Sequence, residues 1–166
     1  MFEVGFLNRG REPVSALKRG QQTELGGGQS TVVELEDACL VIVDDDPNIL
    51  FIAAEFLEEA GVGRCEVRGS GWQAIDLARS GQKVDLILLD IGLAYEDGYD
   101  VVEKIREDPG LKEIPVVALT AHKDPDDLKR AREVGCDGFI GKPIDRGRFP
   151  DQVRRILRGE RVWEVR

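Results

Sequence analysis

Val84-Asp85-Leu86-Ile87-Leu88-Leu89-Asp90-Ile91-Gly92-Leu93-Ala94-Tyr95-Glu96-Asp97-Gly98 sets an apolar run directly against an acidic residue and a loop. Four consecutive aliphatic side chains, Leu86 to Leu89, bounded by turn formers, read as a strand buried on both faces of a parallel sheet. Asp90 follows at once, where such a strand leaves the sheet at its C-terminal edge. In open α/β sheets that edge is where ligands and chemistry gather. A carboxylate there is a candidate nucleophile or metal ligand, although an Asp at a strand end also suits a turn-capping role. The surrounding sequence weighs between the two.

Upstream, Cys39 to Val43 is a second compact apolar run, followed by Asp44-Asp45-Asp46-Pro47. Pro after a capping Asp marks a helix start. Ile49, Leu50, Ala53, Phe56, Leu57 and Ala60 continue it as a 3.6-period stripe, and Gly61 ends it. Cys65 to Arg68 is a weaker strand, suited to a sheet edge. A helix over about 71–79 turns Trp72 and Ile75 inward. After the central strand comes a helix over about 99–107 carrying Val101, Val102 and Ile105. Pro115 to Leu119 is the fourth strand, 125–134 a polar helix, Gly138 to Ile140 the fifth strand, and 148–157 a last helix with Val153, Ile156 and Leu157 inward. Five strands alternating with five helices predict a doubly wound parallel sheet. By analogy its order is the flavodoxin-like 2-1-3-4-5.

Composition bounds the function classes. The 166 residues suffice for one domain with a real core. With 33% charged and 42% hydrophobic residues the chain reads as soluble, and no apolar run has the length of a membrane span. A net charge of −9 argues against nucleic acid as a partner. Cys39, Cys65 and Cys136 lack metal spacing and read as reduced thiols of a cytoplasmic protein. Residues 1–37, with Gly26-Gly27-Gly28, read as a flexible extension holding at most a short strand over 2–7 and a weak helix over 13–25. The domain proper is expected over 38–158 and a tail over 159–166, in which Trp163 either folds back or anchors a partner. The tail leaves no length for an output domain.

If the first and third strands are neighbours, Asp44, Asp45 and Asp90 converge. Three carboxylates repel one another, and a divalent cation relieves the repulsion. All-oxygen ligands completed by water suit Mg²⁺. Thr120 after the fourth strand adds a hydroxyl, and Lys142-Pro143 after the fifth adds a cation on a stiff turn. Nucleophile, metal, hydroxyl and lysine are the parts that stabilise a transferring phosphoryl group.

From about Ala38 to Arg158 the chain resembles the receiver domain of bacterial two-component response regulators. The motifs that carry the resemblance are Val41-Ile42-Val43-Asp44-Asp45-Asp46-Pro47, Leu88-Leu89-Asp90-Ile91 with Asp97-Gly98, Ala118-Leu119-Thr120-Ala121 and Gly138-Phe139-Ile140-Gly141-Lys142-Pro143. The resemblance implies that Asp90 accepts a phosphoryl group from a histidine kinase or phosphotransfer protein. It implies that Mg²⁺ is held by Asp45, Asp90 and the backbone carbonyl of Gly92, with Asp44 acting through water. Thr120 and Phe139 then form the switch pair, Lys142 pairs with the acyl phosphate, and no activity beyond self-phosphorylation and self-dephosphorylation is expected. The output is a changed protein–protein contact, with a homodimer through the face of helix four, strand five and helix five as one form and the downstream partner unidentified. An alternative is a receiver-fold module never phosphorylated in the cell. Another is a haloacid-dehalogenase-type phosphatase with Asp44 as nucleophile, which lacks the threonine expected at Asn48. Two departures from the family, Ala94 and Glu96, predict a looser loop after Asp90. Gly92 leaves an attacking water unobstructed, and His122 is either a guide for that water or an exposed loop residue.

Overall fold

Each apolar run identified above becomes a strand, and the computed structural model describes residues 32–121 and 124–165. The expected elements over 2–7 and 13–25, the Gly26–Gly28 linker and His122 lie outside the described residues. In chain order the elements are β1 (Cys39–Val43), α1 (Pro47–Glu59), β2 (Arg64–Arg68), α2 (Gly71–Arg79), β3 (Leu86–Asp90), α3 (Gly98–Glu107), β4 (Val116–Thr120), α4 (Pro125–Glu133), β5 (Gly138–Gly141), α5 (Phe149–Leu157) and β6 (Trp163–Glu164). All strands are parallel, in the order β2-β1-β3-β4-β5-β6. The doubly wound order 2-1-3-4-5 is therefore present, and a sixth strand extends it.

Two apolar layers sandwich the sheet. Leu40 and Ile42 of β1, Leu86 and Leu88 of β3, and Val117 and Leu119 of β4 face α1 and α5. Val41, Val43, Ile87, Leu89, Val116 and Ala118 face α2, α3 and α4. This alternation follows from the two-residue period of a strand, and burial on both sides explains why these strands are apolar throughout.

The helices start where short polar side chains cap them. Asp46, Ser70, Asp97 and Asp124 each accept a hydrogen bond from a backbone N–H of the helix they precede. Gly98 is required by a close approach. A Cβ there would lie 2.6 Å from the Ile91 Cα and 2.7 Å from the Asp90 carbonyl oxygen. The Asp97-Gly98 pair thus lets α3 begin directly against the end of β3.

Three expectations are corrected. The expected tail holds a strand: Trp163 and Glu164 pair with Phe139 and Ile140, making six strands among the described residues instead of five. The physical reason is that β5 would otherwise be a bare sheet edge with unpaired backbone groups. At the other end, Leu35 is buried in a 3-10 turn over Leu35–Asp37, and the Val33 N–H donates to the Leu157 carbonyl at 3.4 Å. The ordered body therefore begins ahead of Ala38, where composition alone changes character. Trp72, expected to face inward, is 48% exposed, with the Lys104 ammonium 4.7 Å from its ring centroid. It sits in the first turn of α2, and the inward surface of that helix is taken by Ala74, Ile75 and Ala78.

Two of the thiols titrate abnormally. Burial pushes both Cys65 and Cys136 up to about 12. Above their ordinary value of 9.0 the unfolded chain gives up protons that the folded chain keeps, so stability must fall as pH rises toward 12. The slope reaches about 1.4 kcal/mol per pH unit for each thiol. Urea unfolding at about pH 8 and about pH 10 is expected to show this loss, and Cys136→Ala to make it shallower.

Candidate functional site at the sheet edge

Register brings the acidic residues together. Val43 pairs with Leu89 across β1 and β3, so the next step sets Asp44 beside Asp90. Strand parity aims both the same way: Leu40, Ile42 and Asp44 alternate with the other face of β1, as Leu86, Leu88 and Asp90 do on β3. Asp45, one residue on, is exposed at the rim. Carboxylate oxygens of Asp44, Asp45 and Asp90 all lie within 4.8 Å of one another.

Lys142 reaches this cluster from β5. Its Nζ donates to the Asp44 Oδ2 in a short contact and lies 3.0 Å from the Asp90 Oδ2. Burial works against the ammonium charge, but the two carboxylate partners outweigh it and hold the Lys142 pKa above its ordinary value. For Asp44, only 1% exposed, burial wins: its pKa is raised even though Lys142 and the Asp46 N–H pull the other way. The Lys142–Pro143 bond is cis.

Backbone amides fix the remaining oxygens. The Gly92 N–H donates to the Asp90 Oδ1 at 2.9 Å, and the Ala94 N–H donates to the Asp45 Oδ2 at 2.9 Å. The Asp46 N–H donates to the Asp44 Oδ1 at 2.9 Å. Glu96 accepts from the Gly71 N–H at 2.5 Å, tying the loop after Asp90 to the first turn of α2. Ala94 and Glu96, the positions expected to loosen this loop, each make a hydrogen bond out of it. Amide donors and this tether escaped the sequence reading, which follows side-chain types and carries no signal for backbone N–H groups.

Thr120 is 1% exposed at the end of β4, and its carbonyl accepts from the Lys142 N–H at 2.7 Å. Parity puts Thr120 on the α4 side of the sheet, the side that Phe139 also faces. Phe139 is fully buried, and the Trp163 ring lies parallel to it, with centroids 6.5 Å apart and planes at 14°. The expected site residues thus divide between two faces at one sheet edge: Asp44, Asp90 and Lys142 on one, Thr120 and Phe139 on the other. Gly92 sits on the exposed rim beside Asp90.

Three carboxylates and one ammonium leave two negative charges in a small volume. Hard oxygen donors at that spacing fit a divalent cation, and Asp45 on the rim leaves the cluster open to solvent. Asp90, 7% exposed, has both oxygens engaged by donors, the Gly92 N–H on Oδ1 and the Lys142 ammonium on Oδ2.

Comparison with known proteins identifies the family. Residues 40–154 match the family model of the response regulator receiver domain. The polar-differentiation response regulator DivK of Brucella ovis is 36% identical over 118 residues, which cover 71% of this chain and 94% of DivK. The signal receiver domain of a signal transduction histidine kinase from Syntrophus aciditrophicus superposes with a TM-score of 0.65 at 34% identity, covering 74% of this chain and 91% of that one. The BeF3-activated receiver domain of DrrB, a Thermotoga maritima protein, superposes with a TM-score of 0.61 at 28% identity over 72% of this chain and 97% of that one. No helix among the described residues is long and apolar enough to cross a membrane. With its sheet order, its acid cluster and these relatives in agreement, the chain belongs to the family of response regulator receiver domains.

Proposed function

We propose that this receiver domain is a cytoplasmic, Mg²⁺-dependent phosphoacceptor that takes a phosphoryl group on Asp90 from a histidine kinase or phosphotransfer protein. The observation that carries the reading is the Asp44–Asp45–Asp90 cluster bridged by Lys142. An Asp90 carboxylate oxygen attacks phosphorus, a P–O bond forms, and the P–N bond of the donor phosphohistidine breaks with its electron pair going to the imidazole nitrogen. Asp45, Asp90 and the Gly92 carbonyl are the candidate metal ligands, with Asp44 acting through water. Bound there, Mg²⁺ supplies Lewis-acid charge stabilisation to the phosphoryl oxygens.

The chain's own groups do the rest. Lys142 is already charged and already beside Asp90, so it offers the transferring group a preorganised cation. The Gly92 N–H orients the attacking carboxylate. Thr120 supplies a hydroxyl to the new charge, and Phe139, on the same face, follows it. The product biases a two-state equilibrium that the partner of the face formed by α4, β5 and α5 reads, whether that partner is another protein or a second copy of the chain. The phosphatase alternative with Asp44 as nucleophile is disfavoured, because that carboxylate is buried beneath Lys142.

With acetyl phosphate and Mg²⁺, wild type is expected to gain one hydroxylamine-labile phosphoryl group, and Asp90→Asn or excess chelator to abolish it. Persistent labelling of Asp90→Asn, or labelling traced to Asp44, would refute the assignment. Lys142→Ala is expected to slow phosphorylation by about 100-fold, on the scale of losing one preorganised electrostatic partner. Gly92→Arg is expected to lengthen the phosphorylated half-life by screening the acyl phosphate from water, and an unchanged half-life in a single-turnover decay assay would contradict that.

A further inference from the structure

The outer edge of β5 is occupied by the chain itself. β6 lies parallel to it, pairing Phe139 with Trp163 and Ile140 with Glu164, and the Phe139 N–H donates to the Val162 carbonyl at 2.7 Å. The two glycines of β5 make room for this. A Cβ on Gly138 would fall 2.7 Å from the Val162 carbonyl oxygen, and one on Gly141 would fall 3.3 Å from the Val165 backbone. β6 is then pinned on both sides. Toward α4, the Arg132 guanidinium stands 4.5 Å from the Trp163 ring centroid. Toward α5, Glu164 accepts from the Gln152 amide at 2.7 Å, from Arg155 at 2.7 Å and from Arg148 at 3.2 Å. A two-residue strand thus spans the same groove whose three walls are α4, β5 and α5.

This occupant also touches the interior of the switch. The parallel stack of Trp163 on Phe139 suits Phe139 where it now stands, and rotation of that ring breaks the stack. Phe139 shares its sheet face with Thr120, and Thr120 ends the strand beside Asp90. Thr120 and Phe139 thus lie on the same face of neighbouring strands, Trp163 stacks on Phe139, and the strap adjoins the face that Thr120 occupies next to the end of β3.

We propose that β6 is a self-docked strap on the α4–β5–α5 surface, held through the Trp163–Phe139 stack while Asp90 is unmodified and released when Asp90 is phosphorylated. The inference rests on the phosphoacceptor reading and adds to it the identity of the surface's resident occupant. Because coupling between two sites is reciprocal, whatever the phosphoryl group does to the strap, the strap does to the phosphoryl group. A strap that favours the unmodified arrangement must oppose modification, and weakening it must favour modification.

The test uses the full chain with Mg²⁺ and beryllofluoride as the phosphoryl mimic, and titration calorimetry as the readout. Trp163→Ala removes the stack. Glu164→Ala cuts the ties to α5 without touching Phe139, so the two variants loosen the strap independently. Each is expected to bind beryllofluoride about fivefold tighter than wild type, the lower end of ordinary allosteric coupling. Equal or weaker binding by both overturns the strap, and a merely destabilised fold produces weaker binding, not tighter. In a Trp72→Phe chain, where Trp163 is the only remaining tryptophan, beryllofluoride is expected to increase acrylamide quenching. Unchanged quenching at saturation also overturns the proposal. Asp90→Asn serves as the reference. If wild type and Asp90→Asn respond alike, the phosphoacceptor reading falls first, whereas binding by wild type with no difference in the strap variants sinks the strap alone.

Discussion

Three like charges forced into one small volume are the constraint that organises this molecule. Asp44 and Asp90 come from neighbouring strands with the same parity, and Asp45 from the first turn beyond. Such a cluster is electrostatically unfavourable unless something positive sits within reach. Lys142 is that group, and its position explains much of the architecture around it. It arrives from the end of β5, two strands away from β3, and reaches past β4 to the acids. The amides of Gly92 and Ala94, and the close approach permitted by Gly98, fix the loop that carries the carboxylates' remaining partners.

Much of this was legible in the sequence because the signals were local. Runs such as Leu86–Leu89 and Val116–Leu119 have no polar position to spare, and only a strand covered on both faces tolerates that. The site was legible because its side chains follow such runs directly, so fixing the strands also fixed where Asp90, Thr120 and Lys142 emerge. What escaped notice was written in the backbone or in tertiary context. Nothing in Gly92 or Ala94 as residue types announces that their N–H groups hold carboxylates. Glu96 looked like an intrusive charge, whereas it anchors the start of α2. Trp163-Glu164 is too short to show any period, and its strand exists only because β5 offers an edge and two glycines. Trp72 satisfied a helical stripe yet lies outside, its ring beneath Lys104.

Energetically, the two faces of the sheet divide the labour. The α1–α5 side carries the charged cluster above a layer of fully buried aliphatic residues, whose rigidity keeps the carboxylates from spreading apart. The α4 side carries Thr120 and Phe139, with Trp163 stacked on the Phe139 ring. Arg130 adds to that side: it pairs with Asp97 at 2.8 Å and lies over the Tyr99 ring, linking α4 to the cap of α3.

The short β6 also bears on how the protein behaves in a crowded solution. Gly138-Phe139-Ile140-Gly141 holds no charge and no proline, so an uncovered β5 would present a row of unpaired amides and carbonyls to any other extended chain. A strand of two residues with Arg161 beside it makes a poor template for such pairing. The segment that covers β5 therefore shields that strand's backbone from pairing with another extended chain.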